Sequence, residues 1–218
     1  MAKKPSRFLI VLLCAMIVSL SFAWVSYYIT EGGTKPPEMP VLPRITLVPQ
    51  ETYADMTLDV VGDGEIVMIG DSLMVGSTDA LLEIFPQASI DGKVGRSMQG
   101  GIVIAQRAVM QKPRPKVVVV ELATNIQHST MSALEDMVFL LQDIPKVVFV
   151  TGYARTKSTD AVAELIRGLV GRSGNIRIAD WAAVADEHPE YLAGDGIHLR
   201  NNTANAAFAQ CLAEAIRS

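Results

Sequence analysis

One short stretch of the chain joins an apolar run to a polar turn: Ile66-Val67-Met68-Ile69-Gly70-Asp71-Ser72-Leu73. Four apolar residues in a row indicate a strand buried on both faces, and Gly70 permits a sharp turn after it. Ser72 then begins a predicted helix, where unpaired backbone N–H groups and the helix dipole favour a developing negative charge. A serine there is a candidate nucleophile, and a simple helix cap by Asp71 or Ser72 is the alternative.

The same alternation of apolar runs and helix-length segments continues along the chain. Predicted strands cover residues 66–69, 88–90, 117–121, 147–151 and 176–179, and predicted helices cover residues 73–85, 98–111, 130–142, 159–172 and 202–217. Ser158 is the expected N-cap of the fourth helix. This alternation predicts an α/β fold with a mostly parallel sheet and helices on both faces. Ligands of such sheets bind beyond the carboxyl ends of the strands.

Three further polar segments follow predicted strands or lie near the end of the chain. Gly95, in the run Asp-Gly-Lys-Val-Gly-Arg, can present its backbone N–H to a substrate oxygen, and Asn125 can present its side-chain amide. Asp195 precedes His198 by three residues, so its carboxylate can reach the imidazole and orient it. Each segment alone fits an ordinary turn. Together with Ser72 they supply a nucleophile, a base, an orienting carboxylate and oxyanion donors.

The other histidines and the cysteines carry less information. His128 and His188 are interpreted as loop residues without a carboxylate partner nearby in the sequence, and a substrate contact remains open for His128. Cys14 and Cys211 lie in the apolar N-terminal run and the last predicted helix, so no intramolecular disulfide is expected. With three scattered histidines, no paired cysteines and no phosphate-binding loop, the sequence predicts no metal and no cofactor.

Residues 1–30 predict a membrane anchor. Three basic residues precede an uncharged stretch of 22 residues, 8–29. As a helix this stretch reaches about 33 Å, enough for a hydrocarbon core of about 30 Å. The basic flank predicts a cytoplasmic N-terminus and an extracytoplasmic body at the cell membrane. A cleaved signal peptide, with Ser21-Phe22-Ala23 before the cleavage site, is the alternative.

Residues 31–49 form a predicted Pro-rich linker, and residues 50–218 form the predicted folded domain. Beyond residue 30 the chain carries 16 Lys and Arg, once Lys3, Lys4 and Arg7 are set aside, against 23 Asp and Glu. The resulting net charge of −7 argues against nucleic acid or anionic lipid as the main partner.

From residue 65 to residue 217 the chain resembles the SGNH (GDSL) hydrolase superfamily. The resemblance rests on Gly70-Asp71-Ser72-Leu73, Gly95, Asn125 and Asp195-x-x-His198. The motifs are most similar to those in SGNH domains of bacterial cell-surface O-acetyltransferases. The resemblance implies a flavodoxin-like three-layer α/β/α sandwich. It also implies that Ser72 is the nucleophile, that His198 is the base and that Asp195 orients it. The oxyanion would be held by the N–H groups of Ser72 and Gly95 and by the Asn125 amide.

The sequence departs from the family pattern at two positions. Ala123 stands where a glycine is usual, and its methyl group is expected to narrow the pocket; Ile126 follows Asn125 where an aspartate is common. The missing aspartate also occurs in the acetyltransferase-like branch, so the resemblance leaves the oxyanion role of Asn125 intact.

The predicted function is that of an extracytoplasmic serine esterase or O-acyltransferase, acting on acyl esters, in particular acetyl esters, of cell-envelope polysaccharide. Its expected partners are an acylated glycan or small ester, the membrane through the N-terminal helix, and a separate membrane protein that donates acyl groups. A non-catalytic, envelope-binding scaffold that keeps the SGNH fold is the alternative. Hydrolysis of lipid esters fits less well because the linker lifts the domain off the bilayer.

Overall fold

A computed structural model describes residues 65–218. Its strands are β1 (Ile66–Gly70), β2 (Ser89–Gly92), β3 (Val117–Glu121), β4 (Lys146–Val150) and β5 (Ile176–Ala179). Its α-helices are α1 (Ser72–Ile84), α2 (Met98–Met110), α3 (Thr130–Leu140), α4 (Lys157–Arg167), α5 (Trp181–Glu187) and α6 (Asn202–Arg217). Every predicted strand and helix in this range is present, and α5 is an additional helix that the sequence analysis did not predict.

The five strands form one parallel sheet in the order β2-β1-β3-β4-β5. This order is that of flavodoxin-like doubly wound folds, in which the ligand site lies at the carboxyl ends of the strands, where the strand order reverses. Here the reversal falls at β1, between β2 and β3. The predicted parallel α/β fold is therefore confirmed, and Ser72 lies two residues beyond the end of the strand at the switch point.

The sheet separates two hydrophobic cores, because the side chains of each strand alternate between its faces. Met68 of β1 and Val119 of β3 pack on one face with side chains of α1, α5 and α6, including Trp181 and Phe208. Val67 and Val118 pack on the other face with side chains of α2, α3 and α4. All five residues of β1, β3 and β4 are buried, so the valine runs belong to strands covered on both faces, as the sequence indicated.

Helix α4 differs from its prediction at both ends. Its N-cap is Thr156, whose side chain accepts a hydrogen bond from the Thr159 N–H at 3.2 Å, so the expected cap at Ser158 was wrong. The helix ends at Arg167, five residues earlier than predicted, because Gly168 is the C-cap. Glycine has a low helix propensity, and the predicted apolar periodicity extended beyond this breaker.

A buried lysine joins the last helix to the amino-terminal edge of the sheet. Lys146, at the start of β4, is 2% exposed, and its Nζ donates to the Ile216 carbonyl at 2.7 Å. Burial lowers the pKa of this ammonium group. Lys146 lies at the opposite end of the strands from Ser72.

Within residues 65–218 no helix is both long and apolar enough to cross a bilayer. The predicted anchor at residues 1–30, the linker at residues 31–49 and residues 50–64 of the predicted domain lie outside the described residues.

Candidate active site

Three strand ends stand side by side beneath the site. In the ladder register Gly70 of β1 pairs with Gly92 of β2 and with Glu121 of β3. The chain segments that leave these positions are the polar segments singled out from the sequence. The parallel sheet therefore brings Ser72, the Gly95 loop and Asn125 to the same edge, as expected for strands that end together.

Asp71, and not Ser72, caps helix α1. The Asp71 side chain is fully buried and accepts a hydrogen bond from the Leu73 N–H at 3.0 Å. Ser72 is the first residue of the helix, and its own N–H has no acceptor within residues 65–218. The alternative that Asp71 caps the helix is therefore correct. Because Asp71 is the cap, both the hydroxyl and the N–H of Ser72 remain available for a substrate.

A chain of two hydrogen bonds links Ser72 to Asp195. The Ser72 hydroxyl donates to His198 Nε2 at 3.0 Å, and His198 Nδ1 donates to Asp195 Oδ2 at 2.7 Å. The second contact selects the tautomer in which Nε2 is free to accept the serine proton. The side chains of His198 and Asp195 are 49% and 48% exposed, so this part of the site is open to water.

The loop that carries His198 is held by hydrogen bonds from its backbone to the Asp195 carboxylate. Asp195 Oδ1 accepts the N–H groups of Ile197 and His198 at 2.9 and 3.0 Å, and Gly196 has a φ of +70° that only glycine adopts readily. The hydrogen bond from His198, together with these two N–H groups, lowers the pKa of Asp195 to about 2. The carboxylate is therefore ionised whenever His198 needs a negative partner.

A second loop carries Gly95 and follows β2 at the same edge of the sheet as Ser72. Arg96 N–H donates to the Lys93 carbonyl at 3.0 Å, and Gly95 occupies the third position of this turn with a φ of +72°. The buried Arg96 guanidinium donates to the Gly70 carbonyl at 3.1 Å and forms an ion pair with Asp91. This side chain ties the loop to the end of β1, and the Gly95 N–H has no acceptor within the described range.

Asn125 completes the set from the end of β3. Its amide nitrogen donates to Asp71 Oδ2 at 2.7 Å and to the Arg96 carbonyl at 3.4 Å. The first bond is short and fixes the plane of the amide. The second is long, so a substrate oxyanion can replace the Arg96 carbonyl as the acceptor of that N–H.

Three structural findings modify the sequence-based picture. Ala123 is 1% exposed and packs in the second core, so its methyl group does not line the open site. His188 does have a carboxylate partner, because its Nδ1 lies 2.9 Å from Glu190 Oε1; the prediction of no partner was wrong. His128 is exposed on the loop after β3, as predicted. The structure adds Asp71, Arg96 and Glu121 to the residues that build the site.

Only weak signals marked these additional residues in the sequence. Arg96 is the last residue of the Asp-Gly-Lys-Val-Gly-Arg run. Glu121 is a lone acidic residue at the end of a valine run, where a buried acid is unusual. Within the described residues no three His, Cys, Asp or Glu side chains converge as a metal site.

Comparison with known proteins identifies several to which this chain is similar. No family model matches the chain. The catalytic C-terminal domain of peptidoglycan O-acetyltransferase A (OatA) from Streptococcus pneumoniae, solved with a methylsulfonyl adduct, is 27% identical. It aligns with a TM-score of 0.65 over 70% of this chain and 92% of that domain. A member of the lipolytic G-D-S-L family from Veillonella parvula aligns over 68% of this chain and 96% of that one, with a TM-score of 0.57 and 18% identity, which supports the fold alone.

Residues 65–218 share the fold of the SGNH (GDSL) hydrolases, and their sequence is similar to that of the OatA catalytic domain. O-acetyltransferase OatA from Staphylococcus aureus is 34% identical to this chain over 137 residues, which are 61% of this chain and 22% of that protein. The chain thus spans about a fifth of the length of the curated relatives that it matches. The proteins to which this chain is similar thus include O-acetyltransferases and a member of the lipolytic G-D-S-L family.

Proposed function

We propose that the chain is an extracytoplasmic serine O-acyltransferase that transfers acetyl groups to hydroxyl groups of cell-envelope glycan. The observation that carries this proposal is the hydrogen-bonded series Ser72 Oγ, His198 and Asp195, with distances of 3.0 and 2.7 Å. The names of its relatives support the substrate class, since they include a peptidoglycan O-acetyltransferase.

In the first half of the reaction His198 Nε2 takes the hydroxyl proton of Ser72 as its oxygen attacks the ester carbonyl. Asp195 stabilises the imidazolium that forms. The carbonyl oxygen becomes an oxyanion that can receive the N–H groups of Ser72 and Gly95 and the amide of Asn125. When the tetrahedral intermediate collapses, the bond to the leaving oxygen breaks, and His198 protonates that oxygen to release an alcohol. The acyl group remains on Ser72.

In the second half a glycan hydroxyl gives its proton to His198 and attacks the acyl-serine, which forms the new ester and restores Ser72. Water can take the place of the glycan, and hydrolysis is then the outcome. The half-exposed side chains of His198 and Asp195 favour this second candidate, an esterase, because water reaches the acyl-enzyme. Acceptor binding therefore decides between transfer and hydrolysis.

The proposed location follows from the N-terminal sequence. Residues 1–30 would anchor the chain in the cell membrane, and residues 31–49 would hold the SGNH domain, residues 50–218, away from it. A separate membrane protein would then supply the acyl groups. No metal or cofactor is required by the steps described above.

The test compares the full chain, purified in detergent, with its Ser72→Ala and His198→Ala variants. Release of p-nitrophenol from its acetate ester measures acyl-enzyme turnover, and mass spectrometry of an added glycan oligosaccharide measures transfer. Wild type is expected to release p-nitrophenol and to acetylate the oligosaccharide, and a fluorophosphonate probe is expected to label Ser72. Each variant is expected to lose at least about 10³-fold in kcat.

His188→Ala is the matched control, since His188 is a second exposed histidine paired with an acid, and within the described residues it forms no hydrogen bond with a serine hydroxyl. It should keep wild-type turnover. Equal inertness of folded wild type and both site variants would contradict the enzyme and favour the scaffold alternative. Turnover without acetylated oligosaccharide would contradict the transferase and favour the esterase.

A further inference from the structure

Two carboxyl groups are buried together directly beneath Ser72. Glu121 is 1% exposed and Asp71 is fully buried. Glu121 Oε2 accepts the Asp71 N–H at 3.0 Å, and the two carboxyl groups are close enough to interact with each other. The proposed reaction steps use neither acid directly. Burial of an acidic side chain destabilises the folded state unless the group is paired, so the presence of two such groups at this place requires a physical explanation.

Gly70 provides the space for this pair. A Cβ atom at Gly70 would lie 2.8 Å from Glu121 Oε2 and 2.3 Å from the Cβ of Met74. Any side chain at this position would displace the Glu121 carboxyl or the first turn of α1. The glycine of the Gly-Asp-Ser motif is therefore matched to the buried acid of the neighbouring strand.

Two adjacent buried carboxyl groups cannot both ionise without strong repulsion, so they share one proton. Burial and then the charge of Asp71 raise the pKa of Glu121 well above its usual range. Burial also raises the pKa of Asp71, but the Leu73 N–H and the Asn125 amide oppose this effect because they stabilise the charged form. Glu121 is therefore the group that carries the proton.

The surroundings agree with this assignment. The guanidinium of Arg96 donates to the Gly70 carbonyl from the loop after β2. A positive charge on His198 favours the ionised form of Asp71 and so lowers its pKa. Asp71 Oδ2, in turn, accepts the short 2.7 Å hydrogen bond that orients the Asn125 amide.

We propose that Glu121 is a positioning residue for the oxyanion donors: as the neutral acid it donates to the Asp71 carboxylate, which holds the Asn125 amide in the orientation that receives the oxyanion. This inference rests on the proposed function for its catalytic consequence. Glu121 does not touch the substrate; it acts through Asp71 and Asn125, which connect β3 to the start of α1.

Glu121→Gln and Glu121→Leu separate this role from a purely structural one. Glutamine keeps a donor for Asp71 and an acceptor for the Asp71 N–H, so kcat for p-nitrophenyl acetate should stay within about twofold of wild type. Leucine removes both the donor and the acceptor, and kcat should fall about 10- to 100-fold with KM nearly unchanged. This loss is smaller than the roughly 10²- to 10³-fold loss that follows removal of an oxyanion donor itself. Lys146→Met, a buried change at the opposite end of the sheet, controls for loss of stability and should keep kcat.

A spectroscopic measurement on the full chain is independent of turnover and of whether the leucine variant folds. The infrared difference between wild type and Glu121→Gln at neutral pH should contain the C=O stretch of a protonated carboxylic acid. Absence of this band overturns the proposal, as does wild-type kcat in a folded Glu121→Leu variant or a glutamine variant as slow as leucine. The two readouts separate the failures: an inert wild type contradicts the proposed function, whereas a missing band contradicts the shared proton.

Discussion

His198 and Asp195 form a hydrogen bond that is short and yet half exposed to solvent. In such a position the carboxylate contributes little through charge alone, because water screens it, and more by selecting the imidazole tautomer. The contribution of Asp195 is therefore expected to be geometric.

Asp195→Asn should lower kcat for p-nitrophenyl acetate by about 10²- to 10⁴-fold, because an amide can donate to His198 Nδ1 and so place the proton on Nε2. Stability should change little at this exposed site. The matched control is Glu190→Gln, which alters the same kind of acid–histidine pair at His188 and should leave kcat unchanged. Comparable losses in both variants would show that Asp195 has no specific role.

The raised pKa of the buried acid Glu121 should make the stability of the fold depend on pH. Its pKa is raised in the folded chain, so the unfolded chain releases this proton first as the pH increases. The stability associated with the protonated form is fully present below the ordinary pKa of 4.5 and is lost as the pH rises towards the raised value. A glutamine side chain does not ionise, so this loss of stability is absent from the Glu121→Gln variant. The free energy of unfolding of the variant minus that of wild type should therefore increase as the pH rises above 4.5. Urea unfolding at several pH values measures this, and a constant difference would contradict the raised pKa.

The carboxyl ends of β3 and β4 approach each other closely just beyond the sheet. A Cβ atom at Gly152 would lie 2.2 Å from the Ala123 carbonyl oxygen, a backbone atom that cannot move without displacing the segment leading to Asn125. The Gly152 position therefore couples the packing of two strands to the orientation of Asn125, a proposed oxyanion donor.

Gly152→Ala should destabilise the fold by about 1–3 kcal/mol, typical of overpacking, and should also lower kcat. Gly76→Ala is the control, because Gly76 lies within α1 and a Cβ there meets nothing within 4 Å. In an open helical position alanine should stabilise by up to about 1 kcal/mol without altering kcat. Equal stability of the two variants would contradict the close approach of the strand ends.

The chain has an apolar N-terminal stretch and a domain whose two hydrophobic cores are built from residues 66–216. We expect the full chain to remain in the membrane fraction after washing with high salt and alkali, because the uncharged stretch of residues 8–29 would, as a helix, be about 33 Å long and could span the bilayer core. A chain beginning at residue 50 should be water-soluble, with the same kcat for p-nitrophenyl acetate. Fractionation and N-terminal sequencing test this. A soluble full-length chain with an intact N-terminus would contradict the anchor, and a shortened soluble chain would indicate the signal peptide.

Local patterns in the sequence were sufficient for most of the secondary structure. The valine run of β3 and the apolar run of β1 indicated buried parallel strands, since continuous apolar residues at strand length fit a sheet covered on both faces. Helix α5 escaped prediction because its seven residues are too few to establish a 3.6-residue period. The cap of α4 shifted by two residues because threonine and serine are both good caps, and propensity alone does not choose between Thr156 and Ser158.

The sequence alone determined the α/β class and the residues that carry the proposed chemistry, because both depend on local periodicity and on side-chain types at the ends of predicted strands. The tertiary structure decided the strand order and the contact between Ser72 and His198, which are 126 residues apart. It also decided the linkage of Glu121, Asp71 and Asn125. Packing between remote segments sets these contacts, and burial in that packing determines where the shared proton lies.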